Sequence, residues 1–125
     1  MQAGPQTDLR RRVAIVEDEV LIAILLEDIL ETLGCEVVGP ATTLAEASGL
    51  LASGTAIDMA ILDVNLGSDS VYPVADRLIA NGVVVIFATG SHRSVLPKRF
   101  AACKVLEKPY TFSAIESAVR ALAKV

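Results

Sequence analysis

Met59-Ala60-Ile61-Leu62-Asp63, followed by Val64-Asn65-Leu66-Gly67, is the stretch whose reading decides the fold. A short apolar run of this length reads as a buried strand. A carboxylate closing it belongs at the edge of a sheet, because an unpaired charge is costly to bury inside one. Working outward, three more runs end in the same way. Val13-Ala14-Ile15-Val16 leads into Glu17-Asp18-Glu19, Val83 to Ala88 leads into Thr89-Gly90, and the weaker Val105-Leu106-Glu107 leads into Lys108-Pro109. In an open parallel sheet the C-terminal ends of the strands gather on one edge, where ligands bind. That edge would carry Glu17, Asp18, Asp63, Thr89 and Lys108. Three acids, a hydroxyl and an ammonium suit a divalent cation and a phosphoryl group.

The segments between these runs read as helices with regular punctuation. Val20 to Leu33 ends at Gly34, which fits the residue just past a helix C-terminus. A second strand, Glu36-Val37-Val38-Gly39, is expected to stop at Pro40. Thr43 and Glu46 have the spacing of a capping box and open a helix running through Leu50-Leu51 to Gly54. Pro73 suits the first turn of a helix carrying Val74, Ala75, Leu78 and Ile79 and ending near Gly82. Thr111 caps a last helix with Phe112, Ile115, Val119 and Leu122 at helical spacing. Between Thr89 and Cys103 the periodicity weakens around Pro97, which predicts a short, mobile or poorly formed fourth helix. Five β-α units without an internal linker or repeat argue for one doubly wound α/β domain.

The bulk properties agree. A chain of 125 residues fits a single domain, and 53% hydrophobic content suits a sheet covered on both faces. The longest apolar stretch, Val20 to Leu26, is too short to span a bilayer, and the polar start through Arg10-Arg11-Arg12 lacks a signal-peptide core, so a cytoplasmic protein is expected. A net charge of −4 argues against a nucleic-acid-binding face. Cys35 and Cys103 make neither a disulfide framework nor a metal spacing and read as reduced packing residues.

Each chemical reading has a plainer rival. Glu17-Asp18-Glu19 also reads as acids placed before a helix N-terminus, and Lys108 as a surface lysine before a turn. Thr89 also reads as a β-branched strand end, and Gly90 either leaves room beside a site or permits a turn. Together the residues say more. Asp18 and Asp63 supply the one or two carboxylates that Mg2+ takes, with Glu17 acting through a water. Clustered carboxylates repel one another without a cation. Asp63 is also a competent nucleophile toward phosphorus.

With Glu17-Asp18, Asp63, Thr89 and Lys108-Pro109 in this order, each after its strand, residues 11–125 resemble the receiver domain of two-component response regulators, and residues 1–10 read as a lead-in. The resemblance implies a flavodoxin-like, five-stranded parallel sheet of order 2-1-3-4-5, flanked by five helices. It implies that Asp63 is the phosphoacceptor, Thr89 the switch hydroxyl and Lys108 the phosphoryl contact. Asp18, Asp63 and the backbone carbonyl of Asn65 become ligands of Mg2+ (or Mn2+), with Glu17 completing the acidic pocket. The donor would be a sensor histidine kinase or a histidine phosphotransfer protein, and the output an unnamed downstream protein, without nucleic acid or membrane. The chain would be a signalling phosphoacceptor rather than an enzyme. No DNA-binding or catalytic output domain fits beside the receiver, so a single-domain regulator acting by protein interaction, relay or phosphate sink is expected.

Two departures qualify the match. Many receivers carry an aromatic residue three positions before the lysine, where this chain has Val105; Tyr110 is expected only to pack. Phe87-Ala88-Thr89-Gly90 resembles an atypical receiver subgroup, but continues with Ser91 and His92 instead of an apolar residue and an aromatic. His92 reads as a loop histidine or a pH-sensing one, and Asn65 and Ser91 sit where lifetime of the aspartyl phosphate is tuned. On the first helix, Ile22, Leu26, Ile29 and Leu33 form a core stripe. Leu21, Ile24 and Leu25 either widen it or form a partner surface. The competing function is a phosphate-independent scaffold on the same fold. A metal-dependent phosphatase wants an acid where Asn65 stands, and a dinucleotide enzyme wants a glycine fingerprint after the first strand.

Overall fold

A computed structural model of the chain describes residues 11–66, 69–90 and 96–123. The elements run β1 (Arg12–Val16), α1 (Val20–Thr32), β2 (Glu36–Ala41), α2 (Leu44–Ala52), β3 (Met59–Asp63), α3 (Tyr72–Ala80), β4 (Val84–Thr89), β5 (Lys104–Glu107) and α4 (Phe112–Ala123). The five strands are all parallel and ordered β2-β1-β3-β4-β5, the order the resemblance implies. Asn65–Leu66 and Asp69–Ser70 add a small antiparallel pairing after β3.

Side chains alternate across the sheet because a strand has period two. Val13, Ile15, Met59, Ile61, Ile86 and Leu106 pack against Leu26, Ile29, Leu30, Ile115 and Val119 of α1 and α4. Ala14, Val16, Ala60, Leu62, Val85 and Phe87 meet the other layer, with Ala47 of α2, Val74, Ala75 and Leu78 of α3, and Phe100. Covering both faces explains the uninterrupted apolar strands. It also leaves the strand ends as the place where polar side chains converge.

Local signals act as read. Thr43 Oγ1 accepts the Glu46 N–H at 3.1 Å, while Glu46 Oε1 accepts the backbone N–H of Thr42 at 2.7 Å, one residue earlier than a standard capping box. Thr111 Oγ1 accepts the Ala114 N–H at 3.1 Å. Gly34, at φ +88°, follows the end of α1, and the Cys35 N–H reaches back to the Leu30 carbonyl at 3.0 Å.

Two expectations need correction. β2 does not stop at Pro40; it runs to Ala41. It does so with a register irregularity opposite β1 between Ala14 and Val16. Gly39 makes this possible at φ +98°, since a Cβ there would lie 2.9 Å from the Ala41 nitrogen and 3.2 Å from the Ile15 carbonyl oxygen. Pro40 is accommodated because β2 is an edge strand, free of a ladder on one side. The second correction concerns five flanking helices. Among the described residues there are four α-helices, and the β4-to-β5 crossover holds only a 3-10 turn, Lys98–Phe100. Residues 91–95 of the expected fourth helix, the lead-in 1–10 with Arg10, and the Leu122 side chain lie outside the described residues.

Of the α1 stripe, Leu26, Ile29 and Leu33 are buried and Ile22 is half-buried, joined by Ala23 and Leu30. Leu21, Ile24 and Leu25 are 81%, 53% and 43% exposed, so they do not widen the core. Arg12 pairs with Glu36 at 3.3 Å, in keeping with a solvated lead-in to β1. Cys35 and Cys103 are free, and burial raises both thiols above their ordinary pKa, which suits packing and not reactivity. No described helix is long and apolar enough to cross a membrane.

Candidate functional site

The C-terminal ends of β1, β3, β4 and β5 bring Glu17, Asp63, Thr89 and Lys108 to one edge. Glu17, Asp63 and Thr89 are each 1% exposed and are the buried polar side chains among the described residues. Asp18, beside them, is exposed. Carboxylate oxygens of Glu17, Asp18 and Asp63 all lie within 4.8 Å of one another. Lys108 Nζ reaches Glu17 Oε2 and Asp63 Oδ2, both at 3.1 Å. The backbone completes the frame. Asn65 N–H donates to Asp63 Oδ1 at 3.0 Å, and Glu19 N–H to Glu17 Oε2 at 3.1 Å. Lys108 N–H donates to the Thr89 carbonyl at 2.9 Å, tying the lysine to the threonine's strand; the Lys108–Pro109 peptide is cis.

Electrostatics follow from two buried carboxylates sharing one ammonium. Burial, then the hydrogen bond and charge of Asp63, push Glu17 up to about 7, against the Glu19 N–H and Lys108, which act the other way. A carboxyl raised in the folded state contributes most to stability below 4.5 and loses that contribution as pH rises through about 7. Burial pulls Lys108 down, but hydrogen bonds to Asp63 and Glu17 outweigh it and hold the ammonium above its ordinary value. The pocket thus has more negative charge than Lys108 neutralises, in an all-oxygen set that fits a hard divalent cation. Chemically, the arrangement can hold a metal ion and offer a nucleophilic carboxylate beside a fixed cation.

Of the residues read from sequence, Glu17, Asp18, Asp63 and Lys108 meet in one pocket, and Thr89 lies on the same edge. Asn65 enters through its backbone N–H, while its side chain is exposed. Gly90 has a φ outside the left-handed region, and a Cβ there would meet nothing within 4 Å, so this position does not demand glycine for space. Ser91 and His92 lie outside the described residues. Val105, at the position where many receivers carry an aromatic, is half-buried against the α2–α3 layer.

Two features escaped the sequence reading. Tyr110 is buried, as a packing residue should be, but its hydroxyl also donates to Glu17 Oε1 at 3.3 Å. Burial, then Glu17 and Asp63, raise the Tyr110 pKa above its ordinary value, so the hydroxyl keeps its proton. The signal was its place two residues after Lys108, on the short segment that follows β5 at the pocket edge. The second feature is Arg99, which grips both carboxylate oxygens of Asp76 at 3.0 Å and lies over the Phe100 ring at 4.5 Å. Phe100 in turn contacts Phe87 and Tyr72, with ring centroids 5.0 and 5.4 Å away. Nothing in local sequence pairs these residues.

Fold and pocket together are those of a receiver domain, and residues 13–120 match the response regulator receiver domain; the chain belongs to that family. Among solved structures it is similar to SdrG from Sphingomonas melonis Fr1, at 42% identity and TM-score 0.80 over 93% of this chain and 98% of that one. A BeF3-activated conformation of SdrG, from Pseudomonas melonis Fr1, aligns at 44% identity and TM-score 0.75 over 89% of this chain and 94% of that one. The transcriptional regulatory protein PdtaR of Mycobacterium tuberculosis is 35% identical over 93% of this chain. The phyllosphere-induced regulator PhyR of Methylorubrum extorquens is 36% identical over 74% of it. The chain spans 62% of PdtaR and 34% of PhyR.

Proposed function

We propose that this chain is a response regulator receiver that accepts a phosphoryl group on Asp63 from a phosphohistidine of a sensor kinase or phosphotransfer protein. The observation that carries the reading is Lys108 Nζ held 3.1 Å from both Asp63 and Glu17 in a buried acidic pocket. An Asp63 carboxylate oxygen attacks phosphorus, the new O–P bond forms as the donor's N–P bond breaks, and the imidazole nitrogen takes the electron pair and then a proton. Lys108 shifts from the carboxylates to a phosphoryl oxygen as negative charge accumulates there, and the Thr89 hydroxyl donates to another. Asp18, Asp63 and the Asn65 carbonyl would hold Mg2+ or Mn2+, with Glu17 joined through a water; the ion supplies charge neutralisation on the transferring group. The three clustered carboxylates, excess in charge over Lys108, support that fit. Loss of the phosphoryl group is hydrolysis at the same site, so the chain acts as a self-dephosphorylating signal carrier rather than on a separate substrate.

Docking falls to the exposed apolar face of α1. Leu21, Ile24 and Leu25, with Val20 at 60% exposure, begin two residues after Asp18. Ile24→Asp slows transfer from the cognate kinase and spares phosphorylation by acetyl phosphate; equal loss with both donors removes docking from the account. The acceptor itself is tested by intact mass after acetyl phosphate treatment, with and without Mg2+. A labile, Mg2+-dependent phosphoryl adduct lost in Asp63→Asn supports the reading. If acetyl phosphate, kinase-driven labelling and beryllofluoride titration are all silent, the phosphate-independent scaffold takes its place.

A further inference from the structure

Glu17 is more completely engaged than a carboxylate that merely awaits a hydrated ion. Its Oε2 accepts from Lys108 Nζ and the Glu19 N–H, both at 3.1 Å. Its Oε1 accepts from the Tyr110 hydroxyl at 3.3 Å. Lys108 and Tyr110 are two residues apart, so one short segment after β5 grips both oxygens of one side chain on β1's end. We propose that Tyr110 is a positioning residue of the acidic pocket: its hydroxyl fixes the Glu17 carboxylate for metal binding.

The inference rests on the metal-binding reading above and adds a residue to it. Lys108 is shared with Asp63 and is needed by the phosphoryl group, so its hold on Glu17 is released when the site is used. Tyr110 has no such competing task among the contacts seen. It is buried in the α1–α4 core layer, which fixes the ring, and among the described residues its hydroxyl hydrogen-bonds to Glu17. A carboxylate kept in one orientation loses less freedom on binding a hydrated cation, the reason that hydrogen-bond partners of ligands tune metal affinity. A purely structural account also exists, since a buried tyrosine hydroxyl needs some acceptor. The two accounts differ in what a lost hydroxyl does to the ion.

Mg2+ titration by isothermal calorimetry separates them. Tyr110→Phe keeps the ring and removes only the hydroxyl, so the fold is retained; far-UV circular dichroism and the unfolding midpoint check it. The expected result is Mg2+ binding weakened by about tenfold relative to wild type. Tyr72→Phe, a like change beside Phe87 and Phe100, leaves the affinity unchanged. In a Glu17→Gln background the Tyr110→Phe change produces no further loss, because its effect runs through Glu17. A lowered midpoint with Mg2+ affinity within twofold of wild type marks the hydroxyl as packing only and overturns the proposal. So does an undiminished Tyr110→Phe loss in the Glu17→Gln background. If wild type itself binds no Mg2+, the metal reading fails and the proposal falls with it.

Discussion

Asp63 and Asp76 are both carboxylates bonded to a cation, in opposite settings. Asp63 is buried, and its partner Lys108 is 13% exposed and shared with Glu17. Asp76 and Arg99 form a two-pronged pair whose side chains are 47% and 54% exposed. The better-shaped pair is therefore the weaker contributor, because water screens it and solvates either partner alone. The poorer stoichiometry, one ammonium for two buried acids, is the one that can be put to use. A charge that the fold does not fully neutralise is a demand for a ligand. The same contrast holds for the surroundings. The pocket is tied by bonds among β1, β3, β4 and β5, whereas the described part of the crossover is anchored by the buried Phe100 ring and the exposed Arg99–Asp76 pair, with Leu96 and Cys103 packed against the same layer.

The contrast is broken most strongly at Phe100. It is 1% exposed and packs on Phe87 and Tyr72, so Phe100→Ala is expected to destabilise the protein by about 4 kcal/mol. Denaturant unfolding reads this, while phosphorylation of the still-folded variant at low temperature persists. Loss of phosphorylation in folded protein would show that the crossover anchor and the pocket are one unit.

Next comes Lys108→Met, which strands two buried carboxylates. Breaking a buried pair predicts a loss of about 3 kcal/mol in metal-free buffer, with part of it recovered on adding Mg2+. A fully stable, Mg2+-insensitive variant would contradict the charge account. The smallest effect belongs to Arg99→Ala, which shifts the unfolding midpoint slightly at low salt and not at high salt. Arg99 holds the Asp76 carboxyl below its ordinary value of 3.8. The pair's contribution is therefore present above pH 3.8 and lost as pH falls through the lowered value, so wild type and Arg99→Ala converge in acid. Curves that stay apart there would assign Arg99's role to its stacking on Phe100.

The sheet and pocket were legible because strand-end chemistry is local in sequence. Glu17, Asp63 and Thr89 directly follow an apolar run, Asp18 and Lys108 come one residue later, and parallel topology brings those ends together. The continuation of β2 through Pro40 was not legible, since proline is an ordinary stop signal and only an edge position with Gly39 at positive φ overrides it. The crossover was readable as weakness but not as structure: Pro97 and the lost periodicity announce a break, whereas the Arg99–Asp76 pair and the Phe100 cluster join residues of different elements. The Tyr110 hydroxyl escaped because aromatic packing already accounted for the residue, and its polar end matters only once Glu17 is known to be buried beside it.

The central claim is that Asp63 carries the phosphoryl group. Borohydride reduction of the acetyl phosphate-treated protein, followed by peptide mass mapping, tests it most directly, because hydride converts an acyl phosphate to an alcohol and leaves free carboxylates alone. The account predicts homoserine at position 63, dependent on Mg2+ and absent without the phosphodonor. Homoserine at another acidic position instead, with Asp63 intact, would contradict it.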